Sequence, residues 1–277
     1  MNDKGICLLG VAALRKTADH RSEMVSQLLF GDLVEVIEIK KDWIYIEMAE
    51  DKYPGWVAKN QLHLLDEAEH AALLSGKRMI TASLLGSMSA NFINEHIKKR
   101  SETEASENPA SKTSKSFAVS AGSTFYNNGK GAMALSGITF EYDGKLLEPE
   151  DGRQGIPELA LQFKSIPYLW GGRSAFGLDC SGFTQLICKM AGISIPRDAA
   201  QQAQQGEAVH LINEAQAGDL VFFDNEEEII THTGILLDQS TVIHAHGKVR
   251  IDKIDHHGIF NEEKKTYSHN LRIIKRF

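Results

Sequence analysis

Cysteine is scarce in this chain. Cys7, Cys180 and Cys188 are the three in 277 residues, an odd number at irregular spacing, which is not the pattern of a disulfide framework and suits a reducing compartment. Positive charge is also short: Lys and Arg total 30 against 37 Asp and Glu, a net charge of −7, and no basic block forms a phosphate-binding face. Nucleic acid is therefore not an expected partner. Long apolar runs are missing as well. The run from Ile6 to Leu14 is short, barely basic in front, and passes directly into polar sequence, so it reads as a first β-strand, and no membrane span is expected. Taken as full length, the chain is expected in the cytoplasm; a removed leader would void that expectation. What is present is 42% hydrophobic residues over 277 positions, enough for two or three small cores in a multidomain protein.

The N-terminal part alternates as strands do: Leu33–Ile39, Trp43–Glu47 and Gly55–Val57, separated by charged or Gly/Pro turns, predict a small antiparallel barrel. The order of a "G-D-x-V-E-V" strand, a "W-x-x-I" strand and a closing "G-W-V" strand resembles bacterial SH3-like domains. Residues 98–116, KKRSETEASENPASKTSKS, are polar and poor in aromatics, which predicts a mobile loop or linker. Around them, Met79–Gly86 and Phe117–Leu147 hold short apolar pieces and turns, consistent with a second, degenerate SH3-like barrel carrying an insertion. Further on, Ile156–Ser165 and Cys180–Ala191 have helical spacing, and Asp219–Phe223, Thr233–Leu237, Thr241–His244 and Leu271–Ile274 read as strands. Helix first and meander after is an α+β arrangement.

Cys180 stands in Gly177-Leu178-Asp179-Cys180-Ser181-Gly182-Phe183, at the start of a predicted helix, where the helix dipole and unsatisfied amides favour a thiolate and could hold an oxyanion. A nucleophilic cysteine needs a base and a group to orient that base. His232 precedes one predicted strand and His244 ends the next, so two adjacent antiparallel strands could present both imidazoles on one side. By spacing alone this leaves the structural reading open, because a cysteine and two histidines occur in most chains of this size. A zinc site of Cys180 with the cluster His244, His246, His256 and His257 is a rival, weakened by the lack of an acidic or Cys-x-x-Cys partner pattern.

Pro167-Tyr168-Leu169-Trp170-Gly171-Gly172, then Asp179-Cys180-Ser181-Gly182-Phe183-Thr184, His232-Thr233-Gly234-Ile235 and Ile243-His244-Ala245 together resemble the NlpC family of papain-like cell-wall cysteine peptidases. The resemblance implies Cys180 as nucleophile, His232 as general base and His244 as the residue orienting it, a third place at which the family allows other polar residues. It places Tyr168, Ser181 and Trp170 at the oxyanion or in the cleft, and it requires no metal or organic cofactor. Pro196-Arg197-Asp198-Ala199-Ala200-Gln201-Gln202 with N-terminal SH3-like domains looks like the branch acting as γ-D-glutamyl-L-diamino acid endopeptidase on peptidoglycan stem peptides with a free N-terminal L-alanine. That branch implies Asp198 as a ligand of the substrate ammonium, with Glu23 and Tyr53 from the first barrel making the pocket fit a terminal alanine. Arg197 is a candidate partner for the α-carboxylate of D-glutamate. The expected organisation is residues 1–65 as an SH3-like barrel capping the site, 66–150 as the degenerate barrel and 151–277 as the catalytic domain. An N-acetylmuramoyl-L-alanine amidase or acyltransferase on the same fold, or a non-catalytic binder of wall peptides, are the competing readings.

Several residues have plainer readings. Trp43, Trp56 and Phe30 are expected in a barrel core, Tyr53 alone could be a surface turn residue, and Cys7 and Cys188 are packing residues. His246, His256, His257 and His269 are expected on the surface or in loops.

Overall fold

Alternation along the N-terminal strands becomes alternation of burial. In the computed structural model, which describes residues 3–92, 114–129, 131–149, 155–262 and 264–277, the strand Trp43–Met48 buries Ile44, Ile46 and Met48 and turns Trp43, Tyr45 and Glu47 outward. Seven strands, β1 (Lys4–Ile6), β2 (Val11–Arg15), β3 (Met24–Leu29), β4 (Leu33–Lys40), β5 (Trp43–Met48), β6 (Pro54–Ala58) and β7 (His63–Leu65), form one sheet in the order β3-β2-β6-β5-β4-β1-β7. Cys7, Leu14, Leu28, Val34, Ile44, Ile46, Met48 and Val57 fill its interior. Two expectations change here. The run Ile6–Leu14 is two strands, because β1 pairs with β4 and β7 whereas β2 pairs with β3 and β6. Trp43 and Trp56 lie half-buried on the outer face, in tilted ring contacts with His20 and Tyr45; the period of two that sends Ile44 and Val57 inward sends them out.

Asp66 caps the helix α1 (Glu67–Leu74), its carboxylate accepting from the Glu69 amide while Glu69 reaches back to the amide of Asp66. The helix was not expected, yet the D-x-x-E signature of a capping box is legible in the sequence. Strands β8 (Lys77–Thr81), β9 (Leu85–Phe92), β10 (Ser114–Ser120), β11 (Thr124–Asn127), β12 (Ala132–Leu135), β13 (Ile138–Tyr142) and β14 (Leu146–Leu147) form two small sheets, β10-β9-β13-β12 and β11-β8-β14. Their core takes in Phe30, Ile6 and Leu65 from the preceding sheet, with Phe30 against Phe140 at 5.3 Å between ring centroids. Most of the predicted linker 98–116 lies outside the described residues, but its last three residues open β10, pairing Ser114, Lys115 and Ser116 with Asn91, Ala90 and Ser89. Their polar side chains stay exposed on that ladder.

The remaining elements are α2 (Ile156–Leu161), the short strands β15 (Arg173–Ser174) and β16 (Gly177–Leu178), the helices α3 (Cys180–Met190) and α4 (Ala199–Gln202), and strands β17 (Glu207–Val209), β18 (Leu220–Asp224), β19 (Ile230–Leu236), β20 (Thr241–His246), β21 (Lys248–Ile254), β22 (Gly258–Asn261) and β23 (Thr266–Arg276). The last seven form a sheet ordered β17-β23-β18-β19-β20-β21-β22, and pairing of β22 back onto β23 closes it. Phe183, Leu186 and Ile187 of α3 pack on Leu220, Phe222, Ile235 and Ile243 of this sheet and also on Leu29, Ile80 and Ala121 from the N-terminal sheets. Every residue of α3 is therefore buried. Its charged Lys189 is accommodated by Asp32 at 2.7 Å, and Asp32 also pairs with Arg173. Among the described residues no helix is long and apolar enough to cross a membrane.

Candidate active site

The N-terminus of α3 is held from two sides. Asp179, the N-cap, accepts the Gly182 amide at 2.6 Å and the Gly171 amide at 2.9 Å. Gly182 lets this turn press on the preceding loop, since a Cβ there would lie 2.1 Å from the Gly172 carbonyl oxygen. Cys180 is the first residue of the helix and is 7% exposed. The helix-start amides, which lack intrahelical partners, surround it.

Pairing of β19 with β20 begins at Gly234 opposite His244. N-terminal to that point the edge of β19 is turned to α3: the sulfur of Cys180 lies 4.0 Å from the Thr231 carbonyl oxygen, so it sits beside the backbone that carries His232. His232 and Gly234 share a face of β19, and the missing side chain of Gly234 leaves the imidazole of His244 free to lie across towards His232. A Cβ at Gly234 would fall 2.8 Å from Val242 and 3.0 Å from the Cβ of His244. The two imidazoles meet through His232 Nε2 and His244 Nδ1 at 2.8 Å.

Burial pushes the Cys180 thiol up to about 11, Asp179 adding in the same sense while the amides of Thr233 and Ser181 and the charge of Arg197 oppose it. The helix start alone, which predicted a ready thiolate, is thus outweighed by desolvation. Burial also holds His232 well below the usual histidine range, helped by the neighbouring His244, His269 and His246. Burial thus disfavours the charged form of both groups, the thiolate of Cys180 and the imidazolium of His232.

A cavity of about 400 Å³ opens on Cys180 and runs to the N-terminal sheet; Glu23, Tyr53, Trp170, Ser181, Arg197 and Asp198 line it. Glu23 accepts the Trp170 indole N–H at 2.8 Å, and that bond, with Lys16, lowers its carboxyl from the ordinary value. Tyr53 donates to Asp198 at 3.4 Å. Burial raises Asp198, with Arg197 and Tyr53 opposing. Tyr53 is pushed up to about 12 by burial and then by Asp198. Tyr168, half-buried, is pushed up to about 12 by burial and by the Cys180 sulfur. The structure thus brings seven of the ten expected residues onto one cavity, and His232, His244 and Tyr168 are not among the residues that line it.

Arg197, a candidate partner for a ligand carboxylate, is 2% exposed and is engaged within the protein: it donates to Asp179 at 2.6 and 3.0 Å, to Ser181 Oγ at 2.9 Å and to Ser26 Oγ at 3.2 Å. One expectation is corrected. His269 is not a loop residue; it lies on β23 and stacks on His232 at 4.2 Å between centroids. His256 and His257 make a tilted ring contact at 3.9 Å between centroids, and among the described residues no group of three or more His, Cys, Asp or Glu side chains is arranged to hold a metal ion. Asp252, which accepts from His244 Nε2 at 2.9 Å, was missed. Strand alternation on β21 was the available signal, and it could not specify the cross-strand register.

Residues 165–267 match the NlpC/P60 family, and residues 14–62 match the SH3 domain of bacterial dipeptidyl-peptidases. A γ-D-glutamyl-L-lysine dipeptidyl-peptidase of Bacillus cereus is 30% identical over 242 residues, spanning 82% of this chain and 68% of the relative. Its namesake in Bacillus subtilis is 31% identical over 231 residues, 79% of this chain and 71% of that one. Dipeptidyl-peptidase 6 of Lysinibacillus sphaericus is 25% identical over 94% of this chain and 96% of its own length. The crystal structure of an NlpC/P60 family protein from Bacillus cereus superposes with a TM-score of 0.76 at 21% identity, covering 99% of both chains, which shows a shared fold.

Proposed function

The chain belongs to the NlpC/P60 family, with the papain-like α+β fold behind an N-terminal SH3-like domain, and from that premise we propose that it is a cysteine peptidase cleaving the γ-D-glutamyl–diamino acid bond of peptidoglycan stem peptides that begin with a free L-alanine. The observation that carries this reading is the single cavity that joins Cys180 to Glu23, Tyr53 and Asp198. Two carboxylates and a phenol facing one space form a receptor for an ammonium, with charge-assisted hydrogen bonds that an acylated amine cannot make. The same pocket sets the register: an N-terminal residue seated there leaves the next carbonyl, the γ-carbonyl of D-glutamate, for Cys180. The γ-D-glutamyl-L-lysine dipeptidyl-peptidases among the relatives support this bond as the one cleaved.

In this mechanism His232 takes the Cys180 proton at Nδ1, since Nε2 is engaged by His244. The sulfur attacks the γ-carbonyl, and the helix-start amides receive the developing oxyanion. The C–N bond then breaks as His232 returns the proton to the leaving amine of the diamino acid. Water, deprotonated by His232, hydrolyses the thioester and releases L-Ala-D-Glu. A requirement for the free amine directs the enzyme to released peptides rather than to intact wall, in keeping with a recycling role.

Mass-spectrometric analysis of products from L-Ala-γ-D-Glu-meso-diaminopimelate and its N-acetylated form tests the reading. Loss of the charged hydrogen bonds should cost about 3 kcal/mol, or roughly 100-fold in kcat/KM, for the acetylated peptide. Equal cleavage of both peptides would refute the ammonium receptor, and cleavage of neither would turn attention to the amidase, acyltransferase or binding readings.

A further inference from the structure

We propose that Asp252 is a positioning residue that fixes, through His244, which nitrogen of His232 is free to take the Cys180 proton. The inference rests on the peptidase reading above but is decided by proton positions that can be measured without substrate. Antiparallel pairing sets Arg250 opposite His244 and Asp252 opposite Val242, so Arg250 and Asp252 share the His244 face of β21 and Asp252 is its diagonal neighbour. Asp252 Oδ2 lies 2.9 Å from His244 Nε2, and the Arg250 guanidinium clamps the carboxylate through Nε to Oδ2 at 2.6 Å and Nη2 to Oδ1 at 2.7 Å. Burial opposes the charge of Asp252, but the bonds from His244 and Arg250 outweigh it and hold the carboxyl at about 2.

The proton positions follow step by step. An ionised carboxylate only accepts, so His244 Nε2 carries a hydrogen and donates to Asp252. A neutral His244 then has a bare Nδ1, which accepts. Across the 2.8 Å contact His232 Nε2 must therefore be the donor, and the hydrogen on Nε2 leaves Nδ1 bare. A bare Nδ1 is the state a general base needs. The opposite arrangement, with His244 Nδ1–H donating, would turn a lone pair of His244 towards the carboxylate and protonate the wrong nitrogen of His232. Asp252 selects between the two. His246 and His269 also face this pair, with centroids 6.4 and 4.2 Å from His232. Burial, with the neighbouring His244 and His246, lowers His269 to about 4, so at neutral pH it adds no charge that would compete with Asp252.

Long-range ¹H–¹⁵N correlation spectra of the histidine side chains read this directly. In wild type, His232 and His244 should both show Nε2 protonated and Nδ1 bare. In Asp252→Ala that pattern should be lost to mixed or reversed tautomers, and kcat should fall about 10- to 100-fold, as for removal of a carboxylate behind a functional histidine, with KM within about twofold. Alkylation of Cys180 by iodoacetamide at neutral pH should slow in parallel. Asp252→Glu should restore part of each effect, and Arg250→Gln, which keeps the acceptor but loosens its clamp, should impair tautomers and rate less than Asp252→Ala. A wild-type His232 protonated at Nδ1, or tautomers unchanged in Asp252→Ala, would overturn the proposal. So would an Arg250→Gln variant as impaired as Asp252→Ala, because the effect would then be local destabilisation. Wild type that fails to cleave the peptide yet shows these tautomers would overturn the substrate reading alone.

Discussion

Replacing Arg197 by Met asks whether this buried cation serves the fold or a ligand. The substitution keeps an unbranched stem of similar reach and removes four hydrogen bonds, two of them to Asp179. Asp179 is 5% exposed and keeps the amides of Gly171 and Gly182, but it loses its counter-ion. Stripping one partner from a buried pair costs about 3–5 kcal/mol; because two amides remain on the carboxylate, the lower end, about 3 kcal/mol, is expected. Urea denaturation at neutral pH, followed by tryptophan fluorescence, measures it. The double variant Arg197→Met/Asp179→Asn should recover only part of the loss, because the orphaned charge is gone but one of the Gly171 and Gly182 amides then faces the Asn NH2. A stability loss below about 1 kcal/mol, joined to a raised KM, would refute the argument and return Arg197 to the role of a ligand for a substrate carboxylate.

Three further outcomes follow from the same geometry. Asp32→Ala leaves Arg173 buried without its anion and Lys189 with Glu50 alone, at 3.2 Å, and should cost about 3 kcal/mol by denaturation. Burial opposes the charge of Asp32, but the two cations hold its carboxyl below the usual range, so the stability it contributes is present above about pH 4 and lost as pH falls through its folded value; an unchanged acid transition in the variant would contradict this. Gly234→Ala should destabilise by about 1–3 kcal/mol through overpacking and lower kcat further by pushing His244 off His232; full activity would show that the imidazoles meet without that gap. In His232→Ala the Cys180 thiol has no base to take its proton and burial still disfavours its thiolate, so its alkylation at neutral pH should fall well below the wild-type rate; superimposable pH profiles would remove His232 as the base.

Local pattern carried much of the fold. The alternation in β5 and β6 was readable because one face of each strand is dry, whereas β4 buries only Val34 and leaves Ile37 and Ile39 exposed from its bulge onward; the start of α3 was readable from the apolar spacing after Cys180. What stayed hidden depends on contacts between residues far apart in sequence. Spacing on α3 suggested one buried face, yet the helix is buried on all sides, and Gln185 and Lys189 are tolerated because Asp51 and Asp32 reach them from the N-terminal sheet. Nothing near Lys189 in the chain announces that partner. Asp252 was invisible for the same reason, since its meaning comes from the β20–β21 register. His269 looked like a loop residue until closure of β23 on β22 and β18 laid it over His232. Trp43 and Trp56 mark a limit of residue-type reasoning: large aromatics favour cores, but strand parity put these two outside.

The claim at the centre of this account is that Cys180 becomes acylated by the γ-carbonyl of D-glutamate. Acid-quenched intact-protein mass spectrometry during turnover of L-Ala-γ-D-Glu-meso-diaminopimelate, with peptide mapping of any adduct, measures it most directly. The account predicts a transient L-Ala-D-Glu thioester mapped to Cys180, absent in Cys180→Ala. An adduct on another residue, or release of L-Ala-D-Glu by Cys180→Ala at the wild-type rate, would contradict it.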